Sequence, residues 1–414
     1  HGWNFLGDII DENLEYERII RDKALLPADM VTKAEAEYDK KVDEAKQQKE
    51  FYEQQLQVIS EADKTLEEYF KKDDYTLDEV KSIEPGENQE LARAQQIAVQ
   101  VISNYEGFEN VQKLLTGEIE KTIETLNGKS LTTNYREDAL PGNNPYLYTP
   151  GEVWGNNDYD GPDPKKEDAF HGTHVAGIIA SERNNGLGVN GVASNAKIMV
   201  LRAVSTGDEY DKDVAAAIRY AADNGAKIIN TSFGKYHSTN PEWVWDAIKY
   251  AASKDVLIVN AAGNEGITTD ETQVYPQDQE GTGSEISDNF LTVGALAPKY
   301  GADMIASFSN YGKSTVDVFA PGVQIYSTAP LNKYRNASGT SMASPATAGV
   351  AAVIRSHFPK LTAAQVKQII MDSGLTTIAN VNVGDGSSKA FAEISKSGKM
   401  VNLYNALIMA SKMK

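Results

Sequence analysis

Apolar positions divide the chain into two stretches with different periods. Val31, Ala34, Tyr38, Val42, Ala45, Tyr52, Leu56, Ile59, Leu66 and Phe70 recur mostly at steps of three and four, with gaps near Lys49 and Asp63. That spacing lays them along one stripe of a long helix, close to a heptad seam, with Pro27 and Asp73-Asp74 as its ends. Leu91, Ala94, Ile97, Ala98, Val101, Ile102 and Tyr105 form a second stripe within residues 88–126, and Pro85-Gly86 marks a turn between the two. The pattern predicts a long antiparallel helical hairpin over residues 11–135. Two uses fit such an element: a docking or dimerisation arm, or an insertion that packs on itself and on its host.

From about residue 140 the pattern changes. Apolar, β-branched runs at 196–204, 227–232, 256–261 and 290–295 alternate with helical stretches at 213–224 and 243–253. Strand–helix alternation with short turns predicts a mainly parallel sheet with helices on both faces, an α/β fold. In such sheets ligands sit at the carboxyl ends of the strands, so chemistry belongs in the polar and glycine-rich residues that follow each run.

Composition narrows the picture. The 414 residues are long enough for two or three domains and a sizeable core. Lys and Arg number 40 against 59 Asp and Glu, a net charge of −19, which argues against a nucleic-acid binder. The absence of cysteine excludes disulfides, thiolate catalysis, iron–sulfur clusters and Cys-ligated zinc. No apolar run approaches the length that crosses a bilayer. The chain opens His1-Gly2-Trp3-Asn4-Phe5, neither an initiator Met nor a signal peptide, as expected of a processed or cut product.

Three segments carry candidate chemistry: His171-Gly172-Thr173-His174-Val175-Ala176-Gly177, Asn260-Ala261-Ala262-Gly263-Asn264 and Gly339-Thr340-Ser341-Met342-Ala343-Ser344-Pro345. They supply a base, a side-chain amide donor and a hydroxyl at a helix start, the parts that acyl transfer needs. Taken singly, each has a plainer use. A Ser at a helix start is ordinarily an N-cap, and an Asn after a strand ordinarily shapes a turn. His171 and His174 have the i,i+3 spacing of a metal pair, but no third ligand cluster accompanies them.

Taken together and in this order, the three segments resemble the motifs of the subtilisin-like serine proteases, the subtilases. Asn184–Ala193, Asn230-Thr231-Ser232-Phe233-Gly234, Tyr275-Pro276, Ala306–Asn310, Ala320-Pro321-Gly322 and Val401–Ala406 extend the likeness over residues 136 to about 410. The resemblance implies His171 as general base, Ser341 as nucleophile and Asn264 as the oxyanion-hole amide, with His174 structural. It implies that Ser232, Phe233 and Gly234 form one substrate-binding edge and Ala262 and Gly263 the other, binding an extended peptide by strand addition. It also implies Val274 as the floor of the S1 pocket, Glu265 near its rim and Tyr210 as a wall of the S4 pocket. A β-branched floor favours medium apolar P1 residues over large aromatic ones.

The family's triad includes an Asp in a D-[ST]-G motif ahead of the His. The one such tripeptide here, Asp372-Ser373-Gly374, follows Ser341 and reads as a helix end capped by Gly374. Gly2-Trp3-Asn4-Phe5 resembles a segment that follows the Asp motif in some bacterial subtilases. The expectation is therefore that an upstream segment of the same precursor carries the Asp. Gly155–Asp163 holds three acids and two Asn amides in nine residues, oxygen ligands suited to a structural calcium. No cofactor is required for the chemistry itself.

The sequence thus predicts a subtilisin-like α/β catalytic domain over residues 1–10 and 136–414, interrupted by the helical hairpin at 11–135. The implied partners are a peptide or protein substrate, the upstream acid-bearing segment and a second copy docking through the hairpin, with no nucleic acid. Family resemblance implies export to the cell surface, periplasm or medium. The rival reading is a non-catalytic binding protein on the same scaffold, using the helical insertion as an interaction arm.

Overall fold

The computed structural model describes residues 2–105, 107–163, 165–166, 169–281 and 283–413. Two compact units share the chain: His1–Glu15 with Asn134–Lys414, and Tyr16–Thr133.

The Tyr16–Thr133 unit is helical. Ala28–Phe70 is one helix of 43 residues, about 65 Å long at 1.5 Å per residue. It ends where Lys71 turns left-handed at φ 55°. The returning arm is not the single helix that the apolar stripe predicts. It is split into Gln89–Tyr105 and Phe108–Leu126 at Gly107, whose φ of 143° an L-residue rarely adopts. The long helix packs on both pieces. Ala62, Leu66, Leu91, Ala94, Ala98, Val101, Val111 and Leu115 form their shared core. A short helix, Leu77–Lys81, precedes them. Its capping box has the Glu79 N–H donating to Thr76 Oγ1 at 3.3 Å and the Thr76 N–H to Glu79 Oε2 at 2.8 Å.

The other unit is built on four parallel strands, Ile228–Thr231, Leu257–Ala261, Phe290–Leu296 and Val318–Pro321, adjacent in that order. Side chains alternate between the faces of a strand, and the partners here follow that rule. Leu257, Val259, Leu291 and Val293 pack with Ala343, Ala351 and Ile354 of the helix Thr340–His357 and with Val366 and Ile369 of Ala363–Ser373. Ile258 and Phe290 turn the other way, onto Ile218 of Asp211–Asp223 and Ala247 and Ile248 of Pro241–Ser253. Helices cover both faces, so consecutive positions are apolar in Ile228-Ile229, Leu257–Val259, Phe290-Leu291 and Val318–Ala320, as in parallel sheets generally.

Two local expectations need correction. The apolar run at 196–204 forms only a two-residue strand, Leu201–Arg202, paired in parallel with Trp3–Asn4 and detached from the four-stranded sheet. The run has the side chains of a buried strand but a partner on one edge alone. Gly374 is not a left-handed cap either: it follows Ala363–Ser373 with extended backbone, φ −61°. Glycine is needed there for space, because a Cβ would lie 2.6 Å from the Met400 carbonyl oxygen.

Candidate active site

Ser341 lies in the first turn of the helix Thr340–His357, after Gly339. The positive end of the helix dipole therefore meets its side chain. Pro345 is four residues on and has no N–H, so the helix leaves the Ser341 carbonyl without its usual donor. Ser232 Oγ supplies one at 2.9 Å, while Ser341 Oγ donates to the Ser232 carbonyl at 3.1 Å. The reciprocal pair ties the helix start to the residue that follows the strand Ile228–Thr231. Ser344 is different: it is fully buried, and its hydroxyl is held by Asn230 Oδ1 at 2.7 Å and the Val259 carbonyl at 3.0 Å.

His171 is the second residue of the helix Phe170–Ala180 and is exposed. Val175 and Ile178 of this helix pack on Met342, beside Ser341. Gly177 admits the strand Ile325–Ala329, for a Cβ there would fall 2.1 Å from Thr328 Oγ1. Ser327 and Thr328 then bond the helix backbone, donating to the His174 and Thr173 carbonyls at 2.8 Å each. His174 is wholly buried, with Nε2 3.0 Å from the Arg335 carbonyl, so that nitrogen carries the proton and the residue is structural. Partial desolvation, and then the neighbouring His174, lower the His171 pKa below the ordinary histidine value. Among the described residues His171 makes no hydrogen bond, either to Ser341 Oγ or to a carboxylate.

Asn264 follows the buried strand Leu257–Ala261 and is exposed. Its Oδ1 accepts from the Thr340 backbone N–H at 2.8 Å and from Thr340 Oγ1 at 3.0 Å, leaving Nδ2 as the free donor. The loop beneath it is held by Asn310, also wholly buried. Asn310 Nδ2 donates to the Ala262 carbonyl at 2.9 Å, and its Oδ1 accepts from the Glu265 and Ile267 N–H groups at 3.1 Å each. Gly263, at φ 101°, lets that side chain pass, since a Cβ would lie 2.3 Å from Asn310 Nδ2. Thr340 and Asn310 belong to this assembly as supports, and neither stands out in the sequence. Both lie inside motif segments, where residues that hold a site look the same as residues that act in it.

The expected substrate edges form as follows. Ser232 and Ala262 are buried, Phe233 and Gly263 are half-buried, and Gly234 is exposed. Lys235 and Tyr275 exchange backbone hydrogen bonds at 2.9 Å in both directions, which fastens the first edge to Val274. A Cβ on Gly234 would meet Val274 Cγ1 at 3.4 Å. Val274 lines a cavity of about 20 Å3 with Ala261, Ala262, Thr269, Pro276 and Thr292. The Glu265 carboxylate accepts from the Asn264 backbone N–H at 2.9 Å. Tyr210 is buried, and one ring face is covered by the Arg136 guanidinium at 3.9 Å, which removes that face from any S4 pocket. Arg136 also bonds Asp213 Oδ2 at 2.7 Å and Glu12 Oε1 at 3.3 Å.

In the loop Gly155–Asp163 the polar groups serve local bonds. Asp163 accepts from the Lys165 N–H, Asn156 from the Asp158 N–H, and Asp160 pairs with Lys166 at 3.2 Å. Among the described residues, no group of three or more His, Asp or Glu side chains is placed to hold a metal ion.

A hydroxyl at a helix start, an amide with its donor end free and a histidine on a packed neighbouring helix are the kinds of group that acyl transfer uses. The subtilase family model matches residues 138–392. The thermophilic serine proteinase of Bacillus sp. (strain AK1) is 46% identical over 204 residues, 49% of this chain and 45% of that protein. Thermitase of Thermoactinomyces vulgaris is 37% identical over 223 residues, 53% of this chain and 73% of that protein. Subtilisin DY of Bacillus licheniformis is 35% identical over 217 residues, 52% of this chain and 72% of that protein. With the match running through all three motif segments and most of the chain, the protein belongs to the subtilase family of serine proteases.

Proposed function

We propose that the protein is a serine endopeptidase. The observation that carries this reading is the orientation of Asn264. Thr340 holds the amide oxygen, and Nδ2 is left to meet a developing oxyanion beside the Ser341 N–H at the helix start. Ser341 Oγ leaves the Ser232 carbonyl and attacks the scissile carbonyl carbon, and His171 accepts its proton. As the C–N bond breaks, His171 returns the proton to the leaving amine, and water then hydrolyses the acyl-enzyme by the same route.

The third acid comes from an upstream segment of the same precursor. A carboxylate beside His171 would hold the imidazole in one tautomer and stabilise its charged form. The substrate is an extended peptide lying along Ser232–Gly234 and Ala262–Gly263, with its P1 side chain directed at Val274. Export is the compartment that the relatives suggest. The test is hydrolysis of a peptide amide by the complete precursor and by its Ser341→Ala variant. Turnover by the first and none by the second is expected. Equal turnover by both would refute the reading.

A further inference from the structure

Peptide hydrolysis needs room for the half of the substrate that departs, and the edges at Ser232–Gly234 and Ala262–Gly263 serve the other half. On the endopeptidase reading His171 hands its proton to the leaving amine, so the departing chain begins beside His171. Two elements form the wall there: the start of the helix Phe170–Ala180, and the hairpin of Ile325–Ala329 and Lys333–Ala337. The second strand of that hairpin leads through Ser338 and Gly339 straight into Thr340 and Ser341.

The hairpin is fixed on the helix. Ile325 and Ala337, opposite each other across its strands, pack with Val175, Ile178 and Met342. Two residues along the same face, Ser327 stands opposite Arg335. Both hold His174: the Ser327 hydroxyl donates to its carbonyl at 2.8 Å, and its Nε2 donates to the Arg335 carbonyl at 3.0 Å. The Arg335 side chain reaches over the first residue of the helix, with its guanidinium carbon 4.6 Å from the centroid of the Phe170 ring. That ring is half-buried and meets the His174 ring at 5.5 Å. A guanidinium stacked on an aromatic face keeps the N–H donors along its edge for another partner. Arg335 and Lys333, two residues apart on one strand, are both exposed, and among the described residues neither has an ionic partner. Their charge is opposite to that of the chain as a whole, a net −19.

We propose that Arg335 is a specificity residue on the leaving-group side of the cleft, pairing with a carboxylate side chain at the first or second residue after the scissile bond. The inference rests on the endopeptidase reading, which supplies the bond. The chemistry follows from the fork: a planar guanidinium with free edge donors matches a carboxylate with two parallel hydrogen bonds. The position follows from reach. An extended peptide advances about 3.3 Å per residue, and the guanidinium is stacked on the residue that precedes His171. Phe170 acts by position, holding the fork in one orientation, and Lys333 adds charge without that geometry.

The probes are amidated peptides cut after Leu, in pairs that differ only in Asp or Asn at the first or the second residue past the bond. The complete precursor is expected to favour Asp over Asn about fivefold in kcat/KM at one of these places, the scale of an ion pair that solvent reaches. In Arg335→Gln that ratio should fall to about one, and in Arg335→Glu a Lys peptide should take the advantage. Arg335→Lys keeps the charge without the fork and should keep part of the ratio. Each ratio is taken within one variant, so a general loss of folded enzyme cancels. No preference for Asp in the wild type, or a ratio that Arg335→Gln leaves unchanged, overturns the proposal and makes the stack on Phe170 a packing contact. An equal gain from Asp placed three residues before the bond also overturns it, since the long-range field would then be the cause. So does a gain confined to peptides ending in a free carboxylate, which would mean that a chain end is bound. An anilide ending in Leu has no residue past the bond and tests the reading beneath. Its turnover without any preference for Asp refutes this proposal alone. No turnover of the anilide or of any peptide refutes the endopeptidase reading, and the proposal with it.

Discussion

Thr340 and Asn264 are joined by two hydrogen bonds to the same amide oxygen, from the Thr340 N–H at 2.8 Å and from its hydroxyl at 3.0 Å. The Thr340 hydroxyl in turn accepts the Gly263 N–H at 3.1 Å. Thr340 is itself fully buried, and its hydroxyl holds both the Asn264 amide and the backbone of the Ala262–Gly263 edge. On the proposed endopeptidase reading it acts by setting which end of the Asn264 amide faces the reaction.

Thr340→Val keeps the backbone bond and removes the hydroxyl. In the complete precursor, kcat is expected to fall about tenfold with KM nearly unchanged, the worth of one hydrogen bond felt in the transition state. Thr340→Ser should restore most of the loss. Steady-state kinetics check this, and a change in KM alone would mean that Thr340 shapes substrate binding instead.

Asn264→Ala removes the donor itself. A drop in kcat of about 10²–10³, again with little change in KM, is expected, because the oxyanion forms only after attack. The same kinetic series measures it, and the Ala variant should fall well below Thr340→Val.

Ser344 shares a motif with Ser341 but not its surroundings. Its hydroxyl is buried against Asn230 and Val259. Ser344→Ala should therefore lower unfolding stability by about 1 kcal/mol and leave peptide hydrolysis close to wild type. Denaturant titration and an activity assay read the two effects separately. Loss of activity at unchanged stability would contradict the assignment.

Asp278 gives the unit a pH dependence remote from the active site. Its Oδ2 is buried without a hydrogen-bond partner, 3.9 Å from Lys367 Nζ. Burial pushes its pKa up to about 7, against the attraction of Lys367 and with the repulsion of Asp317 and Glu285 added. A carboxyl whose folded pKa exceeds its unfolded one contributes fully below the unfolded value, and its contribution is lost as pH rises through the folded value. Stability should thus decline between about pH 4 and pH 7 on this account. Asp278→Asn, neutral throughout, should be more stable than wild type at pH 8 by on the order of 1 kcal/mol, with the advantage shrinking toward pH 4. Thermal melts across that range check the sign.

Val274 stands between the Gly234 edge and the cavity under Ala261 and Ala262. Val274→Gly should shift P1 preference from Leu and Met toward Phe and Tyr by roughly tenfold in kcat/KM, within the 1–3 kcal/mol that a few methylenes command in an apolar pocket. A P1 series of otherwise identical peptides measures this. A wild type that already prefers Phe, with no gain in the variant, would place the floor elsewhere.

Much of this was legible in the sequence where one segment decides its own structure. The strands Ile228–Thr231, Leu257–Ala261 and Phe290–Leu296 lie within a residue or so of their apolar runs. The long helix Ala28–Phe70 follows its stripe. The break at Gly107 is harder to see, because apolar spacing continues on both sides and the positive backbone angle there leaves no mark in that spacing. The run at 196–204 misled for the opposite reason: its side chains fit a buried strand, but pairing depends on a neighbour that spacing within the run cannot report. At the site, the motifs mark Ser341, His171 and Asn264. They are silent on the Thr340 and Asn310 bonds, and on the Arg136 guanidinium lying over Tyr210, which comes from a distant stretch of chain.

The most direct measurement is the site of covalent modification. The complete precursor, treated with a fluorophosphonate and mapped by mass spectrometry, should carry one adduct, on Ser341 and not on Ser344, and His171→Ala should abolish it. An intact precursor that remains unmodified under conditions that label other serine proteases, or an adduct unaffected by loss of His171, would contradict the account.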